Sequence, residues 1–113
     1  MKILCFGEIL FDVFENESKI GGAPFNFAAH ASRAGAQSYL VSAVGHDALG
    51  DKALRIAAEY GVHTEYISRS EKHQTGVCRV TLDREGIPQY DLVDPVAYDY
   101  IELDENIFAG ELV

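Results

Sequence analysis

Asp12 and Asn26 flank a diglycine in a stretch that begins Gly7-Glu8-Ile9-Leu10-Phe11-Asp12 and resumes at Gly21-Gly22-Ala23-Pro24-Phe25-Asn26. An ionised carboxylate accepts hydrogen bonds and a carboxamide both donates and accepts, so together they can hold several hydroxyls of one polyol. Gly21 and Gly22 let the backbone approach a sugar with no Cβ in the way. The chemistry suggested is recognition of a polyhydroxylated small molecule. On the residues alone a plainer reading stays open, in which Asp12 is an edge-strand charge and Asn26 a local helix-start residue.

Other chemistries find less support. Gly45 and Gly50 have the glycine spacing of a phosphate-binding loop, but Asp51 stands where that loop needs lysine, and Lys52 comes one place late. A carboxylate there repels the phosphates such a loop cradles. No dinucleotide-binding G-x-G-x-x-G run is present. His30, His46, His63 and His73 lie far apart without zinc-ligand spacing, so no metal site is expected. Cys5 and Cys78 sit in strand-like runs and read as reduced thiols.

The elements that must position Asp12 and Asn26 follow from the apolar pattern. Lys2 to Phe6 is a buried-strand run, and Ile9 to Phe14 resumes it with Asp12 embedded. Pro24 suits a first helical turn, and Phe27, Ala28, Ala31 and Ala34 recur at helical spacing before the stop at Gly35. Tyr39 to Val44 is a second strand. Asp47 caps a helix to about Tyr60, with Gly61 as its stop, and Thr64 to Ser68 is a third strand candidate. Strands alternating with helices predict an α/β fold built on a parallel sheet. Thr75 to Leu82 then alternates in period two, Asp83-Arg84-Glu85-Gly86 turns, and Ile87 to Val93 returns, which predicts a half-exposed hairpin. After the break at Asp94-Pro95, Leu103 to Phe108 reads as a short helix and Glu111 to Val113 as the first residues of another strand.

With 113 residues, the chain has room for one domain at most, and its net charge of −9 is unevenly spread. Residues 83 to 113 carry nine acidic side chains and only Arg84 as a base. No cluster of lysine and arginine exists to neutralise phosphates, so nucleic acid and anionic membranes are not expected partners. The apolar run at the start is too short for a signal peptide and no stretch reaches spanning length, which predicts a cytoplasmic protein.

Taken together, Gly21-Gly22-Ala23-Pro24-Phe25-Asn26-Phe27-Ala28, Gly35 and Val44-Gly45-His46-Asp47-Ala48-Leu49-Gly50-Asp51 resemble the first signature of the ribokinase-like carbohydrate kinases. Ala23-Pro24 after the diglycine is more similar to fructokinases than to ribokinases. Gly7-Glu8-x-x-x-Asp12, Gln74-Thr75-Gly76 and Asp94-Pro95-Val96-Ala97-Tyr98-Asp99 fit the same group. The resemblance implies transfer of a phosphoryl group from ATP, with magnesium, to a sugar hydroxyl, on an α/β core with a small β-sheet lid. It implies that Asp12, Gly22 and Asn26 bind sugar hydroxyls while Gly21 shapes the turn. It divides the chain into core segments 1–11, 21–74 and 94–113 and lid segments 12–20 and 75–93, with a homodimer expected through the lid.

The family's second signature, a G-x-G-D turn that supplies the catalytic base, has no counterpart in residues 1 to 113. The expectation is therefore the N-terminal part of a longer kinase, inactive by itself, with no catalytic residue and no ATP or magnesium site of its own. Two alternatives are a non-catalytic sugar-binding or dimerising module and a nucleoside kinase of the same superfamily.

Overall fold

In the computed structural model, which describes residues 1–102, the chain runs β1 (Lys2–Phe6), β2 (Leu10–Val13), β3 (Ser18–Gly21), α1 (Ala23–Arg33), β4 (Gln37–Gly45), α2 (Ala48–Glu59), β5 (Ile67–Ser70), β6 (Gly76–Leu82), β7 (Pro88–Leu92) and a 3-10 helix, Ala97–Tyr100. These strands form two sheets. The first has the order β1-β4-β5 and is parallel throughout, with Leu4 opposite Tyr39 and Ser42 opposite Ile67. The second has the order β3-β2-β6-β7, with β2 and β6 parallel and the outer pairs antiparallel.

The α/β architecture predicted from the alternation is present. β4 is the central strand, and Leu40, Val41, Ala43 and Val44 are buried in it. α1 packs on β1 and β4, and α2 on β4. Small residues line both contacts: Ala28 and Ala29 on α1, Ala53 and Ala57 on α2. Phe25 and Phe11 supply the large side chains of this core, and burying each stabilises by about 1.5–3 kcal/mol.

The ends of the helices follow local chemistry. Pro24 lies in the first turn of α1, where its missing N–H is unpaired in any helix. Asp47 caps α2, its Oδ1 accepting from the Gly50 N–H at 2.7 Å. Past the last residue of β6 the turn is built as the sequence suggested, with Asp83 Oδ1 accepting from the N–H groups of Glu85 and Ile87.

Four details differ from the expectations. Phe27 is 61% exposed and Phe25 takes the buried place, because the face of α1 turned to the sheet is set by Phe25, Ala28 and Ala29. The third strand lies at Ile67–Ser70 rather than Thr64 to Ser68, since His63 first bridges to Tyr39 and the Ile67 N–H closes a turn on the Thr64 carbonyl. The apolar run from Ile9 does not continue β1 but enters the second sheet. That sheet takes in Leu10, Phe11 and Gly21, which the sequence reading assigned to the core segments. The helix expected at 103–108 and the strand at 111–113 lie outside the described residues.

The chain passes between the sheets at four places: after β1, after β3, after β5 and after β7, where the 3-10 helix returns against β4 and β5. Gly22, Thr75, Gly76 and Tyr98 lie at or beside these crossings.

Candidate functional site

Asp12 is half-buried in the middle of the second sheet, paired in register with Lys19 of β3 on one side and Cys78 of β6 on the other. Residues two apart on a strand share a face, so Leu10 lies on the same face as Asp12 and carries Gly21 and Gly76 as its register partners. A Cβ added to Gly21 would come within 3.8 Å of Asp12 Oδ2. The predicted pair of Asp12 and Gly21 is thus brought together, with bare backbone beside the carboxylate.

Gly22 is the hinge from β3 into α1. Its φ of 104° lies where side chains are disfavoured, and a Cβ there would stand 2.6 Å from the Glu8 carbonyl oxygen. Glycine is therefore demanded by both conformation and space. Asn26 sits one turn on, its N–H donating to the Gly22 carbonyl at 2.9 Å. It is exposed and lines a groove of about 370 Å³ with Ile20, Phe25, Ala29, His30, Arg33 and Tyr60. Asp12 and Gly21 are not part of that groove's lining, and Asn26 is tied to the diglycine through its backbone.

The structure adds residues that the direct reading of side-chain chemistry missed. Tyr98, in the 3-10 helix, lays its ring on the Cα of Gly76, a position where any side chain would collide with the ring. Burial pushes its phenol up, and the negative charges of Asp99, Glu8 and Asp94 push the same way. The phenol therefore remains a neutral donor at ordinary pH. Burial likewise raises the Cys78 thiol, with Asp12 adding to the effect. Asp12 thus faces an uncharged thiol across β6. The signals for these residues lay in the Gln74-Thr75-Gly76 and Asp94 to Asp99 runs, which contributed to the resemblance without an assigned role.

The loop at Gly45 to Gly50 is occupied by its own side chain. Asp47 Oδ1 also accepts from Thr75 Oγ1 at 2.6 Å, and Oδ2 from the Thr75 N–H at 2.9 Å. Burial acts to raise the Asp47 pKa but is outweighed by these hydrogen bonds, by that from Gly50 and by the charge of Arg69, which leave it below the usual carboxylate range. A carboxylate fixed at the start of α2 fills the place a phosphate would take. No group of three His, Cys, Asp or Glu side chains among the described residues is placed to hold a metal ion. No helix among them is long and apolar enough to cross a membrane.

Residues 2–95 match the family described as pfkB family carbohydrate kinase. An uncharacterized sugar kinase of Pyrococcus horikoshii is 38% identical over 96 residues, covering 85% of this chain and 31% of that protein. Its crystal structure superposes with a TM-score of 0.77 over 87% of this chain and 36% of that one, and it has also been solved in complex with ATP. A fructokinase from Xylella fastidiosa superposes with a TM-score of 0.83 at 29% identity, over 96% of this chain and 38% of that one. The D-beta-D-heptose 7-phosphate kinase of Bordetella bronchiseptica is 40% identical over 68 residues, 60% of this chain and 21% of its own length. The chain thus spans about a third of the length of the Pyrococcus and Xylella proteins. With the family match running from residue 2 to residue 95 on an α/β fold shared with solved sugar kinases, the chain belongs to the pfkB family of carbohydrate kinases.

Proposed function

We propose that the chain is the N-terminal, sugar-binding part of a fructokinase-like kinase that phosphorylates a sugar hydroxyl with ATP. The observation that carries this reading is the Asp12 carboxylate standing beside the bare backbone of Gly21, on a sheet face flanked by Gly76 and the neutral Tyr98 phenol. A sugar ring needs acceptors for its hydroxyls and a surface without side chains to lie against, and this face supplies both. Asp12 accepts from two hydroxyls, Gly21 and Gly22 admit the ring, and Asn26 reaches the sugar from the first turn of α1.

The second sheet is read as the lid, in segments 12–20 and 75–93 extended at their junctions to Leu10 and Gly21. β7 is exposed along its whole length and forms one edge of this sheet. Such an edge, bearing Tyr90 and Leu92, is suited to pairing with a second copy, so the parent enzyme is proposed to be a homodimer. Nucleotide, magnesium and the catalytic base belong to the remainder of the kinase, and the chain alone is expected to transfer no phosphoryl group. The acidic tip and flank of the hairpin, Asp83, Glu85, Asp91 and Asp94, favour a neutral sugar over an already phosphorylated one. This distinguishes the proposed substrate from that named for the Bordetella relative.

Asp12→Asn in the intact kinase is the test. It replaces one acceptor oxygen by a donor, so the KM for fructose should rise by about tenfold or more while the KM for ATP stays the same. An unchanged KM for fructose in a folded variant refutes the assignment. A lower KM for a sugar phosphate than for fructose in the unaltered enzyme refutes the substrate class.

A further inference from the structure

Thr75 is fully buried at the crossing from β5 to β6, and its hydroxyl and its N–H are both engaged there. Its Oγ1 accepts from the Gly45 N–H at 2.9 Å and donates to Asp47 Oδ1 at 2.6 Å, while its own N–H donates to Asp47 Oδ2 at 2.9 Å. Arg69 closes the arrangement from β5, its Nε donating to the Gly45 carbonyl at 3.1 Å. The end of β4, the cap of α2 and the entry to β6 are therefore tied at one point.

What lies on either side of Thr75 gives that tie its significance. The preceding residue, Gln74, accepts at its carbonyl from the Ala97 N–H at 2.7 Å, one residue before Tyr98. The following residue, Gly76, carries the ring of Tyr98 and pairs in register with Leu10, two residues before Asp12. Both walls of the candidate sugar face are thus measured out from Thr75. A second bond from the same helix holds the far strand: Lys52 Nζ donates to Ser18 Oγ at 2.9 Å and to the Ser18 carbonyl at 3.2 Å. Two points on α2, one at β6 and one at β3, set how the second sheet is posed on the core.

We propose that Asp47 and Thr75 are positioning residues for sugar binding: they touch no substrate, but hold Asp12 and Tyr98 at a fixed distance across the seam between the sheets. The proposal rests on the sugar-site reading given above. Its chemical basis is that a threonine hydroxyl which donates and accepts at once cannot be replaced by a methyl group without stranding the Gly45 N–H and taking from Asp47 Oδ1 one of its two donors, leaving it only the Gly50 N–H.

Thr75→Val and Thr75→Ser separate positioning from general stability. In hydrogen exchange, Thr75→Val should speed the amides of Leu10–Val13, Gly76–Cys78 and Ala97–Asp99 by about tenfold, leaving Leu40 to Val44 unchanged, and Thr75→Ser should behave as the native protein. In the intact kinase, Thr75→Val should raise the KM for fructose about tenfold with the KM for ATP unchanged, and Thr75→Ser should restore it. Uniform acceleration over both sheets, or a Thr75→Ser variant as impaired as Thr75→Val, overturns the proposal in favour of a purely structural role. If Thr75→Val does not fold, Asp47→Asn is read by the same two measurements with the same expected pattern. Asp12→Asn, run alongside, tells the two failures apart: a normal KM there removes the sugar-site reading, whereas a raised KM there with a normal one in folded Thr75→Val removes only the positioning role.

Discussion

Replacing Gly22 with alanine puts the junction between β3 and α1 to a quantitative test. Two costs arise. At a φ of 104° any residue with a side chain is strained, a cost of about 1–3 kcal/mol. The added Cβ also meets the Glu8 carbonyl oxygen at 2.6 Å and its carbon at 3.3 Å. These are backbone atoms, which cannot swing aside, so the overpacking costs about 1–3 kcal/mol more. The middle of both ranges gives roughly 4 kcal/mol, a large part of the 5–15 kcal/mol typical of a whole domain.

Gly35 supplies the control, because its φ of 101° is nearly the same but nothing lies within 4 Å of an added Cβ. Gly35→Ala should therefore show the conformational cost alone. At about 4–8 °C per kcal/mol, Gly22→Ala should lower Tm by roughly 16–32 °C and Gly35→Ala by about half as much or less. Circular dichroism melts at one protein concentration read both. Equal falls in Tm refute the claim that the Glu8 carbonyl presses on Gly22, and no fall in either refutes the backbone assignment.

Other outcomes follow from the same physical picture. Asp47 has a folded pKa below its unfolded value near 4, so its stabilisation is fully present above about pH 4 and is lost as pH falls through the folded value. Asp47→Asn should therefore flatten the acid limb of a stability profile, and an unchanged limb would show that the carboxylate is not held as described. Cys5 and Cys78 are buried, with burial raising both thiols, so a thiol reagent at neutral pH should label neither until the protein unfolds; mass spectrometry counts the adducts. The Ser42 hydroxyl is fully buried in β4 with no hydrogen-bond partner among the described residues, so Ser42→Ala should leave Tm unchanged or raise it, by up to about 1 kcal/mol in stability. A fall of more than a few degrees would reveal a bond that the hydroxyl makes in solution.

The parallel core was legible because its signals are local. The capping carboxylate of Asp47, the proline in the first turn of α1 and the glycine stops each state their own geometry, and the helices stand where these residues put them. Period-two alternation from Thr75 likewise announced β6 and β7. The assignment of β2 to a different sheet from β1 was not legible from periodicity, since the apolar runs ending at Phe6 and resuming at Ile9 are parted only by Gly7-Glu8, and it is long-range pairing with β6 that puts them in different sheets. The face of α1 was misjudged for a related reason: Phe25 and Phe27 are equally apolar, and the sheet decides which is buried. At the candidate site, Asp12 and the diglycine stood out by residue type. Tyr98 and Thr75 act through contacts to Gly76 and Asp47, more than 20 residues away in sequence, so the runs around them carry the resemblance without stating what either side chain does.

Placing Gly22, Thr75, Gly76 and Tyr98 at or beside the crossings between the sheets has a consequence for how such a protein can diverge. Gly22 packs close to the Glu8 carbonyl, Gly76 packs against the Tyr98 ring and Thr75 is hydrogen-bonded to Asp47, whereas the outer reaches of β6 and β7 are exposed. Mutational tolerance should therefore change abruptly along a single strand: within β6, Gly76 should accept no substitution while Thr81 and Leu82, five and six residues further on, should accept most. A lineage can then rewrite the hairpin, in length, charge and pairing partner, without disturbing the four crossings that hold the pocket, so novelty and constraint occupy opposite ends of the same sheet.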